Sequence, residues 1–167
     1  LIWACREVRI ALIHDSTQLY TGTVQDHVEA LVRLTRHDVN PIDYREIVSG
    51  SATLASFDAL IHHYSVRVCN PRTPRRLFDI EQRFRGAKLL FIQDEYEEVC
   101  LANRTIQYVG FNHIFSCVPP EHTKFVYPLV NPRQTTFSQV LTGYVPMRVF
   151  DFSNLASLSS RRYTVGY

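Results

Sequence analysis

Ala87-Lys88-Leu89-Leu90-Phe91-Ile92 is a short apolar run that opens directly onto Gln93-Asp94-Glu95-Tyr96. Its length is that of a strand, and its near-continuous apolarity reads as a strand covered on both faces in a parallel sheet. A helical pattern precedes it. Pro74 reads as a first helical residue after a Thr73 cap, Leu77, Ile80, Glu81 and Phe84 share one face, and Gly86 is a C-terminal stop. A second helical pattern follows over residues 95–110, where Val99, Ala102, Ile106 and Val109 recur at helical spacing. Helix, buried strand, helix is the repeating unit of an α/β sheet.

The same alternation extends both ways. Toward the N-terminus, residues 8–14 (Val-Arg-Ile-Ala-Leu-Ile-His) predict a first strand and residues 15–22 a polar loop. Thr23 then starts a helix, with Asp26 at capping-box spacing and Val24, Val28, Leu31, Val32 and Leu34 along it. Residues 39–47 predict a second strand, which Pro41 places at an edge or bends. Residues 49–56 form a small, polar connection, and residues 57–64 predict a third strand. Toward the C-terminus, residues 113–118 are another strand, Pro119-Pro120 opens a short helix ending before Pro128, and residues 137–141 are a last strand leading into Thr142-Gly143-Tyr144. The expectation is an α/β fold: a Rossmann-like three-layer sandwich with a mostly parallel sheet of about six strands. It occupies residues 1–147. Residues 148–167 read as a linker and the start of a missing C-terminal domain: 151–160 are small and polar, and 162–167 begin a strand cut short. The first residue is Leu1, so a trimmed fragment is expected.

Composition narrows the function classes. In 167 residues, 18 Lys and Arg face 16 Asp and Glu, a net charge of +2, which is too small to argue for nucleic acid or an acidic membrane. The chain is 46% hydrophobic and 20% charged, the balance of a folded protein. No apolar run approaches the roughly 20 residues of a membrane span. Cys5, Cys69, Cys100 and Cys117 make no C-x-x-C pair, which predicts reduced thiols and a cytoplasmic protein. No metal site is expected: His62-His63 is the one local ligand cluster, on a strand where neighbours point to opposite faces. The sequon at Asn103 falls within a helix and reads as chance. Only Lys88 and Lys124 are lysines; the surplus of arginine fits phosphate recognition or codon bias.

In open parallel sheets, ligands bind outside the carboxyl ends of the strands. The first strand delivers His14, Asp15 and Ser16 there, the third His63, Tyr64 and Ser65, and the fourth Gln93, Asp94, Glu95 and Tyr96. The fifth delivers Cys117, a candidate nucleophile but more simply a buried thiol, and the sixth Thr142, Gly143 and Tyr144. Asp94 has a second reading, as the cap of a helix beginning near Glu95. Known fingerprints are absent. Gly22 stands alone where G-x-G-x-x-G needs three glycines, no Gly-Lys-Ser/Thr follows, Tyr64-Ser65 replaces a receiver domain's acceptor aspartate, and there is no G-x-S-x-G elbow. What remains is a long first loop and a helix N-terminus near Gly22 and Thr23, a default anion site.

The strings Arg9-Ile10-Ala11-Leu12-Ile13-His14, Phe91-Ile92-Gln93-Asp94-Glu95-Tyr96, Ile114-Phe115-Ser116-Cys117-Val118-Pro119-Pro120-Glu121 and Val140-Leu141-Thr142-Gly143-Tyr144-Val145-Pro146 together resemble the N-terminal half of bacterial glycosyltransferases with the two-domain GT-B architecture. Tyr163-Thr164-Val165-Gly166-Tyr167 resembles the segment leading into the second half. The resemblance implies an acceptor-side domain whose nucleotide-sugar donor is held mainly by the absent C-terminal domain. The acceptor would be a sugar or lipid hydroxyl, and no cofactor is implied. His14, Asp94 and Glu95 are then the candidate catalytic residues. Asp15, Ser16, Gly22, Tyr64, Gln93, Thr142, Gly143 and Tyr144 are the candidate substrate-binding residues. His14, Asp94 and Glu95 are expected in one crevice, with the first and fourth strands adjacent where strand order reverses. Self-association through the face left by the missing domain is expected too. A non-catalytic α/β ligand-binding or regulatory module, or an unrelated α/β enzyme, would use the same strand ends.

Overall fold

A computed structural model describes residues 7–140. Its six strands are β1 (Arg9–His14), β2 (Asp38–Asp43), β3 (Ala59–His62), β4 (Ala87–Phe91), β5 (His113–Ser116) and β6 (Thr136–Gln139). Five helices connect them: α1 (Gly22–Leu34), α2 (Tyr44–Ser49), α3 (Arg75–Arg83), α4 (Val99–Val109) and α5 (Thr123–Val126). All five strand pairings are parallel, in the order β2-β1-β3-β4-β5-β6. The fold is the expected α/β, Rossmann-like three-layer sandwich.

Alternation along the strands builds two cores. Ala11 and Ile13, Leu60, and Leu90 with Ile92 face one side, where they meet Ile47 of α2, Leu77 and Phe78 of α3, and Ala102, Ile106 and Val109 of α4. Ile10 and Leu12, together with Ala59 and Ile61, face the other side and pack on Val28 of α1. Ile10, Leu12 and Ile13 lie in the core as their apolarity requires. β4 is less enclosed than its sequence suggests: Leu90 is buried, but Lys88, Leu89 and Phe91 are half-buried.

Several local expectations are corrected. Residues 44–47 are helix, not strand: β2 stops at Asp43, whose carboxylate accepts from Arg45 N–H (2.8 Å) and caps α2. α1 begins at Gly22, and Thr21 at its N-cap makes no side-chain capping bond, so no capping box forms at Thr23. Val32 and Leu34 lie exposed on the outer side of α1. α4 begins at Val99, so Asp94 is not its cap; residues 94–98 form a turn with Asp94 (φ 57°) and Glu98 (φ 43°) left-handed. The first and fourth strands are not adjacent, because β3 lies between them. Pro41 sits, as expected, on an edge strand. Cys5, Thr142, Gly143, Tyr144 and the whole of 148–167 lie outside the described residues.

Candidate functional site

The order β2-β1-β3 reverses chain direction across the sheet at β1, and α1 and α2 leave on opposite faces from this point. A crevice of about 510 Å³ opens at the carboxyl ends of β1, β3 and β4. Asp15, Gln18, Thr21, Thr23 and Val24 form one wall, and Tyr44 of α2 closes it. The connection after β3 forms the opposite wall with Tyr64, Ser65, Val66, Arg67, Asn70, Arg72 and Thr73. Gln93 and Asp94 enter from the end of β4.

Five of the residues named at the strand ends therefore come together: Asp15, Tyr64, Ser65, Gln93 and Asp94. Asp15 is held firmly. Its Oδ1 accepts from Thr17 N–H (3.0 Å), the Thr17 hydroxyl (2.6 Å) and the Arg45 guanidinium (3.0 Å), and no protein group among the described residues occupies Oδ2. Asp94 owes its position to the left-handed turn, a conformation aspartate adopts at a cost of about 1 kcal/mol. Its Oδ1 receives a long bond from the Tyr96 hydroxyl (3.4 Å). The Gln18 and Gln93 carboxamides and the Arg72 guanidinium have no protein partner among the described residues, so they remain available to a ligand. Arg67 is already paired with Glu97.

Ser16 and Gly22 stand beside the crevice without lining it. Ser16 N–H donates to Asp43 (2.8 Å), and its hydroxyl oxygen accepts from Arg45 (3.1 Å). Burial alone would raise the Asp43 carboxyl, but hydrogen bonds from Ser16 and Arg45 outweigh it and lower its pKa to about 2. Asp43 thus anchors the loop that carries Asp15. Gly22, the first residue of α1, lies between the lining residues Thr21 and Thr23.

His14 and Glu95 are not lining residues. His14 ends β1 at the crevice end of the sheet but is buried, and its Nδ1 has no partner. Burial keeps it neutral, against the pull of Asp43 and Asp15. Glu95 turns toward β5, where its Oε1 accepts from the Ser116 hydroxyl and Cys117 N–H (both 2.8 Å). It ties the end of β4 to that of β5. The Cys117 thiol is pushed up by burial and then by Glu95 and Asp94, the reverse of an activated nucleophile.

Ser65, named from the end of the third strand, sits in the connection between β3 and α3. Arg67, Asn70, Arg72 and Thr73 of the same connection were missed, and its length is the signal that could have found them, since long loops at this end of a sheet carry function. Among the described residues no cluster of His, Cys, Asp and Glu is placed to hold a metal ion, and no helix is long and apolar enough to cross a membrane. Protein-family models, curated proteins and solved structures, each compared with the chain, give no match.

Proposed function

We propose that the chain is the N-terminal, acceptor-side domain of a bacterial, cytoplasmic glycosyltransferase of two-domain GT-B architecture, moving a sugar from a nucleotide-sugar to an acceptor hydroxyl. The observation that carries this is the crevice itself. Two carboxylates with free oxygens, Asp15 and Asp94, stand with the unpaired carboxamides of Gln18 and Gln93 and the rings of Tyr44 and Tyr64 around about 510 Å³. Such a volume suits a small ligand, and carboxylates and carboxamides suit one rich in hydroxyls. Three of the sequence strings that resemble the family lie on β1, at the end of β4 and on β5, and two of them contribute or adjoin crevice residues: β1 runs into Asp15, and the second string holds Gln93 and Asp94.

In this role Asp15 or Asp94 accepts the proton of the attacking hydroxyl, and the other orients the acceptor. Arg72 lines the crevice and α1 starts between its lining residues Thr21 and Thr23, so both would favour the negative charge that develops as a nucleoside diphosphate leaves. Most of the donor is held by a second domain following residue 167. Calorimetric titration of residues 1–167 with UDP-, GDP- and ADP-sugars tests the division of labour. Weak or no binding is expected; micromolar binding, or transfer by this chain alone, overturns it.

A further inference from the structure

Asp15 is tethered to the crevice wall by its backbone as well as by its carboxylate. Its N–H donates to Ser65 Oγ (3.0 Å), and Ser65 Oγ lies 2.9 Å from His63 Nδ1. The backbone N–H of Ser65 also donates to His63 Nδ1 (3.1 Å). A nitrogen that accepts from an N–H carries no proton, so the hydroxyl must be the donor to His63 Nδ1 and the imidazole proton must sit on Nε2. His63 Nε2 is 2.9 Å from His27 Nδ1, which therefore accepts, leaving the His27 proton on Nε2. Asp15, Ser65, His63 and His27 form a chain of hydrogen bonds running one way, from the crevice into the molecule.

The surroundings keep this direction. His63 is fully buried, and its ring centroid lies 4.0 Å from that of Tyr64. His27 stacks on Tyr64 (5.5 Å) and meets Phe91 of β4 edge-on (5.0 Å). The ionisable groups about the pair are His14 on β1, His62 on β3, Tyr64 after it and Asp26 beside His27 on α1. Burial keeps His27 neutral; burial, then His27, His14 and His62, lower His63 to about 2.

We propose, resting on the acceptor-side reading of the crevice, that His27 and His63 are positioning residues that make Ser65 Oγ a hydrogen-bond acceptor toward the ligand. The hydroxyl proton is committed to His63, and one Oγ lone pair is committed to Asp15 N–H. The remaining lone pair is left for the crevice that Ser65 lines, where it reads a hydroxyl or N–H donor. A proton on His27 Nδ1 reverses the chain. His63 Nε2 must then accept, its proton moves to Nδ1 against Ser65 N–H, and the Ser65 hydroxyl turns outward as a donor.

Nuclear magnetic resonance on the free chain tests this, with neither donor nor acceptor sugar present, so the outcome is independent of whether the whole protein transfers sugar. At neutral pH the ring nitrogens of His27 and His63 should both report neutral rings protonated on Nε2. On acidification the Asp15 and Ser65 amide resonances should move with the titration of His27, at a midpoint below 6.5. In His27→Phe, which keeps a ring between Tyr64 and Phe91, that coupled movement should vanish. A His63 ring protonated on Nδ1 at neutral pH overturns the proposal, and this reading needs no variant. An Asp15 amide that ignores the His27 titration in the folded wild type overturns it too.

Discussion

His62 and His63 are adjacent in sequence and sit in opposite chemistry. His63 faces α1 and is neutral. His62 faces α3, with Nδ1 2.7 Å from Glu81 Oε1 and Nε2 2.7 Å from the Val66 carbonyl oxygen. Both its nitrogens meet acceptors, so His62 is an imidazolium paired with the Glu81 carboxylate, and both side chains are fully buried. Burial works against that charge, but Glu81 outweighs it and the His62 pKa is raised. Its stabilisation is complete below the ordinary 6.5 and is lost as pH rises through the raised folded value. In Glu81→Gln the buried imidazole loses the charge that holds its proton and turns neutral, so the variant should cost about 1–3 kcal/mol in a urea titration at neutral pH; an unchanged unfolding midpoint contradicts the pairing. Asp43 behaves in the opposite sense. Its pKa falls from 3.8 to about 2, so its stabilisation of about 2 kcal/mol is present above 3.8 and lost as pH falls through about 2. Asp43→Asn should lose that amount at neutral pH, with the gap to wild type closing over that acidic window. That the two histidines part company was legible from strand alternation. Their partners were not, although an acid on the apolar face of Leu77, Ile80 and Phe84 was a signal that something basic lay beneath.

At the scale of elements, two glycines separate what the chain needs from what it tolerates. A Cβ on Gly86 would stand 2.1 Å from the Asp58 carbonyl oxygen and 2.6 Å from the Phe84 ring, where the chain enters β4 against β3. Backbone cannot give way as a side-chain tip can, so Gly86→Ala should destabilise by about 1–3 kcal/mol, measured by chemical denaturation. Gly22 meets nothing within 4 Å, and its place in the first turn of α1 suits alanine. Gly22→Ala should be neutral or stabilising by up to about 1 kcal/mol, and retained crevice binding would show that the site needs no close backbone approach there. The elements misread from sequence are the short ones. Residues 39–47 read as one strand because Val39, Ile42, Tyr44 and Ile47 all favour strands, yet Asp43 followed three residues later by Glu46 is a capping-box spacing that marks the start of α2. The start of α4 was misplaced because the spacing of Val99, Ala102, Ile106 and Val109 fixes its face but not its first turn. That turn is spent on the left-handed Asp94 and Glu98.

At the scale of the whole molecule, hydrophobic periodicity identified the six strands of the described residues and the α/β class, but strand order depends on which way each crossover turns, and no local spacing encodes it. Placing β3 between β1 and β4 moves the crevice to the loops after β1 and β3, leaves Asp15 and Asp94 on its walls, and takes His14 and Glu95 out of them. In the function we propose, the acceptor side of a glycosyl transfer therefore rests on Asp15 and Asp94. The most direct test is nucleoside diphosphate release by the full gene product, given nucleotide-sugars and saccharide or lipid acceptors, in wild type, Asp15→Asn and Asp94→Asn. Release by wild type is expected, with a loss of roughly 10²-fold or more in the variant whose carboxylate takes the proton, and little change in unfolding midpoint in either. A reading frame that stops at Tyr167, no release with any donor, or full turnover in both variants would contradict it.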